Sequence, residues 1–251
     1  WATIADATTT GVTLATRNLL LISDDKKILI DTGMGNKWDD KSKNIYRIDP
    51  EISLEKSLQL NGLKPDDITD VILTHLHFDH CGGSIRREGD KLVPAFTHAS
   101  YWSNRRHWKW ATEPNDREKA SFLKENILPI QESGRLKFIE DDADSFPAGI
   151  DVRQAFGHTD AMMLPQMKYK GKTILYMADL LPSIGHIPLP YVMAYDMFPL
   201  TTLNEKRSFL TEAAENDYVL FFEHDPVNEC CTVQMTEKGV RVKDIFKLSE
   251  L

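Results

Sequence analysis

Residues 71–80 read VILTHLHFDH, and the change of character after Leu73 decides how the chain is built. Val71, Ile72 and Leu73 are a short apolar run, the mark of a buried strand. Directly behind it stand His75, His77, Asp79 and His80, in the pattern HxHxDH. At this chain's own residue frequencies, chance would give such a string in roughly one sequence per thousand. Imidazole nitrogen and carboxylate oxygen suit Zn²⁺, and also Mn²⁺ or Fe²⁺. Four such groups in six positions exceed one open catalytic site. Alternate residues beyond a turn would then serve two ions.

Working outward, residues 18–35 (NLLLISDDKKILIDTGMG) predict a hairpin turning at Asp24-Asp25. Residues 51–63 predict a helix stopped at Gly62, and 115–128 a second, with Asn115 as cap and Glu118 three residues later. Strands are expected over 150–156, 162–169 and 172–178, the last two joined around Gly171. Thr202 and Glu205 form a capping box for a helix over 202–216, and strands follow at 218–224, 230–236 and 239–246. No repeat or long linker divides the chain, so one domain over 1–251 is expected. Runs of strands separated by helices imply an α/β fold with two sheets covered by helices.

Three of these apolar runs end on ligand-type residues. IDVRQAF precedes Gly157-His158, KTILYMA precedes Asp179, and YVLFF precedes Glu223-His224. Strand ends on one sheet edge converge, and α/β active sites form there. His158, Asp179 and His224 therefore join the first four residues as candidate metal ligands. Asp31 also ends a strand, as a turn carboxylate or as a group orienting the ligands.

Composition narrows the partners. The 251 residues carry a formal charge of −8, which argues against binding along a nucleic-acid backbone. No apolar run approaches the roughly 20 residues that span a bilayer. Three cysteines, two of them adjacent, make no disulfide framework, which suits the cytoplasm. The chain opens at Trp1 rather than Met, which leaves room for a removed leader. A homodimer is compatible with the sequence, with the N-terminal segment and residues 101–110 as contact surfaces.

THLHFDH, the later GHT, and the spacing of His158, Asp179 and His224 at 78, 21 and 45 residues resemble the metallo-β-lactamase superfamily. The nearest branch is that of acyl-homoserine-lactone lactonases and methyl parathion hydrolase-like enzymes. The resemblance implies a four-layer αβ/βα sandwich of two mixed sheets flanked by helices. It also implies two divalent ions, most simply zinc, with manganese, iron or cobalt as alternatives. His75, His77 and His158 would hold one ion, Asp79, His80 and His224 the other, and Asp179 would bridge them. A hydroxide held between the ions would attack a small ester-type substrate: a lactone, an aryl ester or a phosphotriester. Asp79 would also pass a proton to the leaving group. Lactone opening of the quorum-quenching kind falls within this class, and a glyoxalase II-like thioester hydrolase is the alternative.

The substrate wall is read from two stretches. Tyr101 and Trp102, with Trp108 and Trp110, surround Arg105 and Arg106, and Phe78 lies inside the histidine motif. Residues 180–200 form a proline-punctuated apolar segment that offers Ile184, His186, Tyr191, Met193 and Tyr195. In typical lactonases of the family a tyrosine stands three residues after the bridging aspartate. Pro182 stands there in this chain. His98, His107 and His186 lack ligand spacing, and Cys81 reads as a buried thiol.

Overall fold

The hairpin expected over 18–35 forms, with β1 (Leu19–Ile22) antiparallel to β2 (Lys27–Ile30) and Leu19 opposite Ile30. It opens the sheet of one of the two compact units in the computed structural model, which describes residues 12–141, 143 and 146–251. This unit spans Asn18–Pro147; the other unites the described residues up to Arg17 with Ala148–Leu251. The N-terminal segment expected as a dimer contact lies, over residues 1–11, outside the described residues.

In the Asn18–Pro147 unit, β2 continues in parallel into β3 (Asp70–Ile72), β6 (Ser100–Ser103) and β7 (Leu136–Phe138). Helices α1 (Asp40–Tyr46) and α2 (Leu54–Leu60) start where Asp39 and Ser53 accept hydrogen bonds from first-turn amides. The four-residue helix α3 (Phe78–Cys81) follows β3, and β4 (Ile85–Glu88) pairs with β5 (Lys91–Pro94) as a separate ribbon. Helices α4 (Arg105–Thr112) and α5 (Lys124–Glu132) complete the unit. Its core gathers Leu29, Val71, Leu73, Leu76, Tyr101, Phe122 and Ile130. Each such aliphatic or aromatic side chain contributes about 1.5–3 kcal/mol on burial.

The other unit holds a six-stranded sheet in the order β13-β12-β11-β10-β9-β8. Its strands are β8 (Ile150–Ala155), β9 (Met162–Tyr169), β10 (Lys172–Tyr176), β11 (Val219–Phe221), β12 (Cys230–Thr236) and β13 (Gly239–Phe246). Only β10 and β11 run parallel, because the long helix α6 (Pro199–Glu215) carries the chain between them. Phe209, Leu210 and Ala213 are buried on that helix, as expected. No helix among the described residues is long and apolar enough to cross a membrane.

Three helix starts differ from expectation. The helix expected over 51–63 forms only over Leu54–Leu60, behind its cap Ser53. The helix expected over 115–128 begins only at Lys124. Asn115 does accept from the amide of Glu118, but residues 116–121 turn instead of winding, and the Glu118 carboxylate is drawn to His77. The helix expected from Thr202 already begins at Pro199, so no capping box forms. Glu205 instead accepts from the amides of Phe156 and Gly157.

Candidate functional site

In the Asn18–Pro147 unit, the parallel register that sets Ile30 beside Ile72 brings Asp31 next to the start of the histidine motif. Asp31 adopts a left-handed φ of 57°, a strained conformation for a non-glycine residue. Its amide donates to Ile72 O, and its carboxylate accepts the Thr74 amide at 2.8 Å and the Thr74 hydroxyl at 2.7 Å. A hydroxyl has one proton. Having given it to Asp31, Thr74 Oγ1 can only accept from Nδ1–H of His75, 3.0 Å away. His80 Nδ1 lies 3.1 Å from Asp31 Oδ2, and His77 Nε2 lies 2.9 Å from Glu118 Oε1. The rings of His75 and His80 stand 3.9 Å apart and those of His75 and His77 4.6 Å apart. All three histidines are buried, whereas the Asp79 side chain keeps 27% of its surface exposed.

The loop that carries these groups is held close to the backbone before it. A Cβ at Gly82 would strike the Met34 carbonyl, and one at Gly83 the Thr32 carbonyl, so glycine is required at both. Cys81 is fully buried, its thiol donating to Leu76 O and its pKa pushed up to about 12 by burial.

In the other unit, β8, β10 and β11 all point the same way, and the candidate ligand stands three residues beyond each strand end: His158, Asp179 and His224. The two oxygens of Asp179 face Nε2 of His158 at 3.1 Å and Nε2 of His224 at 2.9 Å. The opposite nitrogens are engaged as well: His158 Nδ1 with Asp196 Oδ1 at 3.0 Å, and His224 Nδ1 with Ala15 O at 2.7 Å. Ala178, immediately before Asp179, has a left-handed φ of 41°, so here the strained residue precedes the carboxylate, whereas at Asp31 it bears it.

These hydrogen bonds test whether the residues suit a metal ion. An acceptor on one nitrogen fixes its proton there and leaves the lone pair of a neutral imidazole on the other. The lone pair then lies on Nε2 of His75, His80, His158 and His224, and on Nδ1 of His77. In the His158–Asp179–His224 group it points at a carboxylate oxygen. Acceptor facing acceptor is repulsive unless a cation or a proton lies between. Oriented imidazoles backed by carboxylates and carbonyls are what a divalent ion requires. The donor set fits.

Other expected residues fall differently. Tyr101 and Trp102, expected at the substrate wall, are 0% exposed on β6, which lies between β3 and β7. The Tyr101 hydroxyl donates to Ser84 O and the Trp102 indole to Asp70, which makes both part of the interior. Phe78 is half-buried and meets the rings of Trp38 and Tyr46 at 5.3 and 5.2 Å. Ile184, His186 and Met193 are half-buried, while Tyr191 and Tyr195 are exposed. Pro182 is buried.

His107, set aside in the sequence, is fully buried, and its Nε2 accepts the Leu76 amide at 2.9 Å inside the motif. Glu118 and Asp196, which face His77 and His158, were also missed as partners of the site. Only the cap position of Asn115 hinted at the first.

The model of the metallo-beta-lactamase superfamily matches residues 13–224, and the chain belongs to that family. It is 28% identical over 150 residues to an N-acyl homoserine lactonase of Bacillus thuringiensis, covering 56% of this chain and 53% of that protein. The chain thus spans about half the length of the curated relatives it matches. A solved structure from Staphylococcus aureus, described as a probable metal-dependent hydrolase, has a TM-score of 0.83 at 24% identity and covers 96% of this chain and 84% of its own. A dizinc quorum-quenching lactonase, in complex with a product, has a TM-score of 0.76 at 24% identity, covering 93% and 81%. The mixed α/β fold is that of this superfamily.

Proposed function

We propose that the chain is a metal-dependent hydrolase of small esters, lactones first, working with two divalent ions, most simply zinc. The observation that carries this reading is the orientation of five histidines, each with one ring nitrogen engaged by a protein acceptor or hydroxyl. In this reading His75, His77 and His158 hold one ion, Asp79, His80 and His224 the other, and Asp179 is shared. When bound, such ions lower the pKa of water and polarise a carbonyl or phosphoryl oxygen.

The chain's own groups do the rest. Asp31 and Thr74 hold His75 and His80 in the ligating tautomer. Asp79, the most exposed group of the set, moves the proton from the attacking water to the leaving oxygen through its carboxylate. Phe78, with Trp38 and Tyr46, offers an aromatic surface for an acyl or aryl group. Ile184, His186, Tyr191, Met193 and Tyr195 offer the other contacts. With Pro182 in the place of a tyrosine, a donor to the lactone carbonyl comes from Tyr191 or Tyr195. Three buried thiols suit a reducing compartment, so the cytoplasm is the proposed location.

The test is a substrate panel on zinc-loaded protein, with metal analysis alongside. Acyl-homoserine lactones of two chain lengths, an aryl ester and a phosphotriester should be cleaved faster than hydroxyacyl-glutathione. Metal content should be near two equivalents and fall sharply in Asp179→Ala. Full occupancy in that variant, or preference for the thioester, would overturn the reading.

A further inference from the structure

Glu118 lies 41 residues from His77 in sequence, in a turn that belongs to no helix or strand, yet its side chain is 3% exposed and its carboxylate meets Nε2 of His77 at 2.9 Å. Its other oxygen accepts the Trp110 indole N–H at 2.6 Å and Asn115 Nδ2 at 3.3 Å. The Asn115 side chain in turn accepts the amides of Arg117 and Glu118, which sets the turn that presents the carboxylate. Ser121 O from the same turn accepts the Phe78 amide at 3.0 Å. Two donors on one oxygen leave the carboxylate no rotation, so its second oxygen is aimed at His77.

The consequence is chemical. An imidazole whose Nε2–H is held by a carboxylate has its lone pair on Nδ1, and its ring is more basic. His77 is the one motif histidine turned this way: His75 and His80 are engaged through Nδ1. A free imidazole divides its proton between both nitrogens, so a ring without this partner would present the ligating atom only part of the time.

We propose that Glu118 is a positioning residue that locks His77 in the Nδ1-ligating tautomer, with Trp110 and Asn115 fixing the carboxylate, and so sets the affinity of the ion that His77 holds. The inference rests on the metal reading above. It also makes Trp110 an internal reporter, since its indole is hydrogen-bonded to the group that backs a ligand.

The experiment is zinc binding to metal-free protein, by competition with a chelating dye, for the wild type, Glu118→Ala, Glu118→Gln and Trp110→Phe. The wild type should bind two equivalents. Glu118→Ala should weaken one of them by roughly 10- to 100-fold and leave the other unchanged. Glu118→Gln should fall between, because an amide can satisfy His77 or Trp110 but not both. Trp110→Phe should weaken it least. Nitrogen-15 shifts of the His77 ring in metal-free protein should report a single Nε2–H tautomer in the wild type and a mixture in Glu118→Gln. That readout survives if the alanine variant fails to fold, and a merely structural role would not move it. Indole emission should respond to zinc in the wild type and lose the response in Trp110→Phe. Wild-type protein that binds two ions, with Glu118→Gln unchanged in affinity and tautomer, overturns the inference alone. Wild-type protein that binds none overturns the metal reading with it.

Discussion

Nδ1 of His80 lies 3.1 Å from Oδ2 of Asp31, the same oxygen that receives the Thr74 hydroxyl at 2.7 Å. One buried carboxylate therefore sets the tautomer of His80 directly and that of His75 through Thr74. Asp31→Asn keeps the size and removes one acceptor. It is expected to weaken zinc binding roughly 10- to 100-fold, measured by calorimetric titration. It should also cost about 1–3 kcal/mol of stability, because a buried donor loses its partner. Unchanged affinity would show that the ligands orient themselves.

Pro182 makes a prediction about substrate. If Tyr191 or Tyr195 supplies the hydroxyl that meets a lactone carbonyl, replacing that one by Phe should lower kcat for lactones by up to about 100-fold. Pro182→Tyr should then restore part of the loss in the double variant. Steady-state kinetics on a lactone and an aryl ester separate the two tyrosines. Equal kinetics in both single variants would remove them from the chemistry.

His186 makes a prediction about acid. Burial, and then the charge of Lys206, lower its pKa from 6.5 to about 4, against the opposite pull of Asp179 and Asp196. Between those values the unfolded chain binds more protons than the folded one, so stability rises with pH. Acidification from pH 6.5 towards 4 should therefore lower the free energy of unfolding, and His186→Phe should lessen the loss. Denaturant titrations at stepped pH measure both. Identical slopes for variant and wild type would exonerate this histidine.

Lys206 acts at the alkaline end. Its side chain is 0% exposed in α6, and its ammonium donates to the carbonyls of Pro188, Leu189 and Tyr191. Burial lowers its pKa from 10.5 to about 8. Again the unfolded state binds more protons across that interval, so the penalty on folding is complete below about pH 8 and is relieved towards 10.5. Lys206→Met should flatten this rise while loosening residues 188–191, seen as faster amide hydrogen exchange there. Slow exchange in that variant would mean that the carbonyls need no clamp.

How much of this was legible depended on how far each signal reaches along the chain. The hairpin over 18–35 and the strands of the six-stranded sheet follow from local alternation and turn residues. The helix expected from Asn115 failed because a tertiary demand, the pull of His77 on Glu118, outweighed local propensity. The capping box at Thr202 failed for another reason: the helix begins three residues earlier with Pro199 in its first turn, and Glu205 is left to accept from Phe156 and Gly157. The aromatic stretch was misjudged since Tyr101 and Trp102 face the interior, and composition does not tell a wall from a core.

The sequence alone determined the types of the candidate ligands, their order and their placement behind apolar strands, because a strand and the residue after it are covalently joined. Partner identity was decided only by the tertiary structure. Asp196 meets His158 from 38 residues away, His107 meets Leu76 from 31, and Glu118 meets His77 from 41. No spacing rule encodes such pairs. They exist because folding brings distant groups into a dry interior where each buried polar atom needs a partner, and those partners choose which nitrogen of each histidine can hold an ion.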